Sequence, residues 1–339
     1  MPQNSVKTNQ INVERVQNGN LHEERMRTDG SRTAGNMKQE KAKNPPKIGI
    51  LGGDKRQLVM VCGLSEEYEC AVWGFDGIYG TPDEKYLADA VRCADWKSAV
   101  KGSAAVILPL PCTRDGSTLN MPLSESGEKL TLTDIADGMN PGTLLTGGML
   151  PPVFRRYAAE RGVMAADYYD SEELQIRNAV PTAEGAIAAC IAELPVTIAG
   201  MKAAVFGYGR VGRTLAQRLL ALGAVVYAAA RSPRDRAWAE CDGCIPVVLD
   251  EYRKNPVPAD ALFNTVPHCI LDRDVLSGIS RDSVIFELAS GGTDMEAAAE
   301  LGIRVVPLPS LPGKTSPVTA GGIILSAVRD IMKNGLRNE

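Results

Sequence analysis

The sequence predicts an α/β fold: two doubly wound Rossmann-like domains joined by a connector helix, with the C-terminal helix packing back on the first domain. Three observations carry this. Short apolar runs alternate with helical patterns from Lys47 to Met332, as parallel βαβ units require. The alternation occurs twice, with an Ala-rich segment between the two series. Aromatic residues are only 5% while Gly numbers 33, a mixture that suits close-packed α/β layers better than a β-sandwich. A chain of 339 residues also has the length of about two domains.

The elements follow in order. Residues 1–45 are polar and lack a sustained apolar period, so they are expected to form a disordered tail, with a short docking helix around 13–26 as the alternative. The first domain spans 46–178 and is completed by the helix within 315–339. Its strands are expected at Ile48–Leu51, Cys70–Phe75, Ala104–Leu108, Thr143–Thr146 and Val163–Ala166, with helices at Leu58–Leu64 and Phe154–Arg161. Cys112–Asp134 has no clear period, and a long loop at the carboxyl end of a strand is often functional. The connector covers 179–196, its helix Ala183–Leu194 set between Pro181 and Pro195. Residues 197–314 hold strands at Ala203–Phe206, Val225–Ala229, Ile245–Leu249, Ala261–Asn264, Val284–Glu287 and Arg304–Val306, the content of a complete dinucleotide-binding domain. The last helix, Ala320–Met332, carries Ile323, Ile324, Ala327, Val328 and Ile331 in one apolar stripe.

Charge and composition exclude several classes. Lys and Arg total 37 against 41 Asp and Glu, a net charge of -4, without the basic excess of a nucleic-acid or polybasic membrane-binding protein. No run approaches the roughly 20 apolar residues that span a bilayer, and no apolar leader suggests a secretory signal. Eight scattered cysteines fit a reducing cytoplasm. His22 and His268 are the only histidines, which excludes a histidine-rich metal site, and Cys241-x-x-Cys244 reads as a pair of ordinary thiols. No metal is expected.

The strongest motif is Gly207-Tyr208-Gly209-Arg210-Val211-Gly212, after a predicted strand and opening a predicted helix. The first glycine permits the tight turn, the second lets backbone approach a pyrophosphate, and the third lets helix and strand pack closely. The helix N-terminus then faces the phosphates. After the second strand, where an NAD-binding domain tends to carry an acid, the chain reads Arg231-Ser232-Pro233-Arg234. Arg231, Ser232 and Arg234 can bracket a 2′-phosphate, which predicts NADP. Thr265-Val266-Pro267 and Ala289-Ser290 end later strands and are natural cofactor-facing turns. His268 is either an acid/base or an exposed loop residue. At Gly52-Gly53-Asp54-Lys55-Arg56, helix amides and a basic side chain can hold a small anion, or Asp54 merely caps its helix. Lys314 either reaches a substrate carboxylate or faces water.

Several segments between Lys47 and Met332 occur in a distinctive order: Ile50-Leu51-Gly52-Gly53-Asp54 with Arg56-Gln57, then Asn178-Ala179-Val180-Pro181-Thr182-Ala183-Glu184-Gly185. The Gly207–Gly212 fingerprint with Arg231-Ser232 follows, then Asn264-Thr265-Val266-Pro267, and Glu287-Leu288-Ala289-Ser290 with Gly291-Gly292-Thr293-Asp294. Leu311-Pro312-Gly313 with Thr319-Ala320-Gly321 closes the series. On these segments the chain from Lys47 to Met332 resembles the dipicolinate synthase A-subunit family. The resemblance implies a sporulation enzyme of two different polypeptides in the mother-cell cytoplasm, this chain being paired with a flavoprotein-like B-subunit. It implies oxidation of dihydrodipicolinate, or its hydroxylated tetrahydro precursor, to dipicolinate with NADP as hydride acceptor. A cyclic dicarboxylate needs cations or amide-rich turns, for which Arg56, Lys314, the Gly52-Gly53-Asp54 turn and Thr182 are the candidates. Glu184 is a candidate base, or else a helix-start carboxylate favoured by the dipole. The alternatives are a 2-hydroxy- or 2-amino-acid dehydrogenase and a non-catalytic nucleotide sensor. Homo-oligomerisation stays open.

Overall fold

A computed structural model describes residues 44–289 and 291–336. The expectations for His22 and nearly all of the 1–45 tail, and for Ser290, lie outside the described residues.

Among the described residues, twelve strands make two six-stranded sheets in which every strand pairing is parallel. The first contains β1 (Lys47–Leu51), β2 (Glu69–Trp73), β3 (Val91–Arg92), β4 (Ala105–Ile107), β5 (Leu144–Gly147) and β6 (Met164–Asp167), ordered β3-β2-β1-β4-β5-β6. The second contains β7 (Lys202–Phe206), β8 (Val225–Ala230), β9 (Ile245–Val248), β10 (Ala261–Asn264), β11 (Val284–Glu287) and β12 (Arg304–Pro307), ordered β12-β11-β10-β7-β8-β9. Read from the opposite edge, the second order repeats the first. Each sheet therefore reverses direction beside its first strand, where doubly wound folds open a crevice.

Helices cover both faces, which is why the strands read as continuous apolar runs. On the first sheet these are α1 (Lys55–Leu64), α2 (Trp96–Val100), α3 (Leu132–Asp137) and α4 (Pro152–Glu160). The long α5 (Glu172–Glu193) leads to the second sheet, with α6 (Arg210–Ala221), α7 (Pro233–Cys241), α8 (Leu249–Lys254), α9 (Arg273–Ser277) and α10 (Met295–Leu301). The short α11 (Leu311–Thr315) and the closing α12 (Pro317–Gly335) follow. From α12, Ile324, Val328 and Met332 are buried in the same core as Leu58, Val61 and Leu64 of α1. The two helices cross closely, since a Cβ on Gly63 would lie 2.3 Å from Leu325 and one on Gly321 would lie 2.7 Å from the Arg56 carbonyl.

Several elements differ from the sequence expectation. The edge strand β3 lies outside the predicted set, because its two residues are both exposed and carry no apolar run. β2 stops before Phe75, as Gly74 turns the backbone to φ +85°. The expected loop Cys112–Asp134 gives way at its end to α3, opened by a reciprocal Thr131–Asp134 cap. The largest difference is the connector. Its helix starts at Glu172, not after Pro181, because Ser171 accepts from the Leu174 amide and Glu172 and Glu173 fill the first turn. Pro181 lies inside the helix, where it removes one backbone donor. Packing overrides that cost: Leu174 belongs to the first lobe's core, while Ala183, Ala186, Ile187 and Cys190 belong to the second's.

Candidate functional site

A cleft of about 1000 Å³ opens where the carboxyl ends of the two sheets converge. One wall comes from segments after β1, β4, β5 and β6, and the other from segments after the strands of the second sheet. α5 runs along it, contributing Asn178 and Thr182 among others.

The glycine fingerprint has the geometry its spacing requires. Gly207 takes φ +85° and lies so close to Thr265 that a Cβ would sit 2.7 Å from Thr265 Oγ1. Gly212 is where helix and strand touch, since a Cβ there would be 2.0 Å from the Gly207 carbonyl oxygen. Gly209 faces open space, with nothing within 4 Å of a Cβ. As N-cap of α6, Gly209 offers no side chain, so the helix's leading amides lack a side-chain cap. The cradle thus fits a dinucleotide pyrophosphate. Gly207, Gly209, Arg210, Val211 and Gly212 all line the cleft, and the Arg210 guanidinium reaches back 2.6 Å to Glu172 at the start of α5.

Beyond β8, Arg231 and Ser232 line the cleft and Arg234 does not. The Arg234 side chain is 82% exposed and leans on Asp235 at 3.2 Å. Arg236 is tied to the carbonyls of Ala230 and Arg231, which fixes this turn. Asp235 also borders the cleft.

Thr265, Val266, Pro267 and His268 form a turn on the same wall. It is posted on Asn264, which is fully buried: its Oδ1 accepts from the Val266 amide at 3.0 Å, and its Nδ2 donates to both Glu287 carboxylate oxygens at 3.0 Å. Thr293 also donates to Glu287. A Cβ on Gly292 would lie 1.8 Å from Asn264 Nδ2. These contacts give one physical reason for both the Asn264–Pro267 and the Glu287–Asp294 segments. Burial pushes the Glu287 carboxyl above its usual range, against the bonds from Thr293 and Asn264. Ala289 donates its amide to the Asn264 carbonyl and does not line the cleft.

On the first sheet's side the two alternatives at Gly52-Gly53-Asp54 resolve toward capping. Asp54 accepts from the Arg56 amide at 3.0 Å, and Gly52 spends its own amide on the Trp73 carbonyl. Gly52 is covered by Met121 and Gly53 by Gln57 and Pro109, so Gly52, Gly53 and Asp54 stay out of the cleft. Arg56 reaches it. Its side chain is 6% exposed, and its guanidinium is held by Asp54 (Nη2–Oδ2 2.7 Å) and by the Leu110 carbonyl, leaving Nη1 without a protein partner among the described residues. Gly313 of α11 lies directly on this pair, as a Cβ there would meet Asp54 Oδ2 at 2.7 Å and Arg56 Nε at 3.0 Å.

Two expected chemical groups are elsewhere. Glu184 lies on the face of α5 turned to α6, where its carboxylate pairs with Arg218 at 3.4 Å, so it is not positioned as a base in the cleft. Lys314 is exposed and does not line the cleft, because Leu311 and Pro312 take the inward positions of α11. Thr182 lines the cleft, though its hydroxyl donates to the Asn178 carbonyl within the helix. His268 lines it and is exposed.

Other contributors escape a reading of the sequence alone. Arg114 lines the cleft from the loop after β4, and its only signal is that it is that loop's first cation. Asn178 presents a buried Oδ1 with no hydrogen-bond partner. Met149 and Ser310, the non-glycine residues at positive φ among the described residues (+59° and +58°), both border the cleft. Such backbone strain tends to collect at functional sites. Asp167 holds the first of them by accepting from the Met149 and Leu150 amides at 3.0 and 2.6 Å. Among the described residues no cluster of His, Cys, Asp and Glu suits a metal ion, and no helix is long and apolar enough to cross a membrane.

Residues 47–169 match the family model of the N-terminal domain of the dipicolinate synthase A-subunit. The chain is 30% identical to the dipicolinate synthase A-subunit of Bacillus subtilis (strain 168) over 84% of its own length and 95% of that protein's. The crystal structure of the same A-subunit from Bacillus subtilis, 30% identical, superposes with a TM-score of 0.75 over 87% of this chain and 98% of that one. The A-subunit from Bacillus halodurans, 26% identical, also gives 0.75, covering 85% and 98%. An L-alanine dehydrogenase, 16% identical, shares the fold alone at a TM-score of 0.58 over 86% and 91%.

Proposed function

The chain belongs to the dipicolinate synthase A-subunit family, and from that premise we propose that it oxidises dihydrodipicolinate, or its hydroxylated tetrahydro precursor, to dipicolinate with NADP. It works beside a flavoprotein-like B-subunit in the cytoplasm of the sporulating mother cell. The observation that carries the proposal is one cleft with a glycine cradle on one wall and Arg56 on the other.

The bound nucleotide supplies the hydride acceptor. The α6 amides at Gly209–Val211 would hold its pyrophosphate, and Arg231 with Ser232 would hold the 2′-phosphate. Thr265, Val266 and Pro267 would border the nicotinamide end. Arg56 offers Nη1 to a substrate carboxylate, and Thr182 lines the same pocket. Asn178 Oδ1 accepts from a ring hydroxyl, which favours the hydroxylated precursor. The hydroxylated precursor first loses water to give dihydrodipicolinate; the hydride lost from that ring would go to the nucleotide, and the proton lost from the neighbouring position would go to His268, the group in the cleft suited to take it.

Arg231→Ala is expected to weaken NADP about ten- to a hundredfold, the worth of one charge-assisted hydrogen bond, while NAD changes little. Equal losses in a titration with both nucleotides would reject the NADP assignment. The reaction is tested by supplying freshly made dihydrodipicolinate synthase product and NADP to the purified chain, by itself and together with the B-subunit. Ultraviolet absorbance of the aromatic diacid must rise together with reduced nucleotide. Tight NADP binding with no product in either mixture would remove the substrate assignment.

A second reading is a nucleotide-binding chain that positions a catalytic partner. It is favoured by the location of Glu184 and Lys314 outside the cleft. Single-turnover hydride transfer by the isolated chain would exclude it.

A further inference from the structure

We propose that Arg114 is the second carboxylate-binding residue of the cleft, so that Arg56 and Arg114 together select a ligand with two carboxylates over one with a single carboxylate. The inference rests on the reading that the cleft takes a small diacid, and deepens it.

Both arginines line the cleft. Arg56 is anchored on the Leu110 carbonyl. Arg114 is anchored on the next one: its Nε donates to Asn120 Oδ1 at 3.1 Å, and Asn120 Nδ2 donates to the Pro111 carbonyl at 3.1 Å. Consecutive peptide units thus support the two guanidinium groups, which places them on one stretch of wall.

Their remaining donors complement each other. Arg56 has already neutralised its charge against Asp54 and retains Nη1. Arg114 forms no ion pair within the described residues, and both its terminal nitrogens lack protein partners there. The nearest carboxylate in sequence, Asp115, is consumed by its own turn. It accepts from the amides of Ser117 and Thr118 at 2.8 and 2.7 Å and from Thr113 Oγ1 at 3.0 Å. That turn holds the loop in shape, so Arg114 presents a planar fork already fixed at Nε. A guanidinium so held suits a carboxylate oxygen pair and loses little freedom on binding it.

The test compares three ligands on the full chain by calorimetry: pyridine-2,6-dicarboxylate, pyridine-2-carboxylate, and glutarate, which spaces two carboxylates without a ring. The wild type is expected to bind the pyridine diacid at least about tenfold more tightly than the monoacid. Arg114→Ala should erase that gap by weakening only the diacid, and Arg114→Lys should restore part of it. NADP affinity, measured alongside, should stay unchanged in both variants. A gap that persists in Arg114→Ala would overturn the proposal, as would equal weakening of diacid and monoacid. Arg114-dependent binding of glutarate without binding of the pyridine diacid would uphold the two-arginine seat and reject the ring substrate. Binding of no diacid would reject both.

Discussion

Gly209 and Gly212 share one turn and are glycine for opposite reasons. Gly212→Ala forces a methyl to 2.0 Å from a carbonyl oxygen and should cost about 1–3 kcal/mol of stability together with nucleotide binding. Gly209→Ala meets nothing in the free protein, at an extended φ of -80° that alanine tolerates. Its thermal midpoint should stay near the wild type while nucleotide affinity falls, and scanning calorimetry with a titration separates the two. Glu287 supplies a pH dependence. Its carboxyl is raised by burial, so the stability it contributes is full below the ordinary carboxylate range. That contribution is lost as pH rises through the raised value. Glu287→Gln should therefore gain in midpoint relative to wild type as pH rises above the ordinary carboxylate range, and a difference independent of pH would refute the argument. The glycine spacing was legible in the sequence, because it is a local backbone requirement. The buried post under the Asn264 turn was not, because Asn264 and Glu287 meet only when β10 and β11 pair.

At the scale of elements, α11 shows how a short helix can be decided by a distant turn. Gly313 is pressed onto the Asp54–Arg56 pair at the start of α1, so two segments far apart in sequence form one contact. Gly313→Ala should displace Arg56 and weaken diacid binding about tenfold or more, leaving NADP affinity unchanged; isothermal titration of both ligands checks this. The connector shows the converse. Local rules read Pro181 as a boundary, yet α5 runs through it because each end of the helix is buried in a different core. That shift in register along the helix also explains Glu184. Its place at a supposed helix start suggested the cleft, whereas its helical face turns it to Arg218.

At the scale of the molecule, two copies of one topology direct their strand ends at a common cleft, and α12 closes the first copy from the far end of the chain. Val328 is fully buried there, so Val328→Asp should lower stability by several kcal/mol, a drop in thermal midpoint on the order of 10 °C. A near-unchanged midpoint would show that the C-terminal helix is dispensable to the first lobe. The sequence by itself determined what depends on neighbours along the chain: the alternation of strands and helices, the glycine cradle, the apolar stripe of α12 and the family. Periodicity and turn chemistry are local, and they survive without knowledge of contacts. Only the tertiary structure decided which charged groups reach the cleft. Arg56 and Arg114 do, while Lys314, Arg234 and Glu184 do not. A side chain's exposure and partner are set by helix phase and by carbonyls brought in from other strands, and neither is written in the residues beside it.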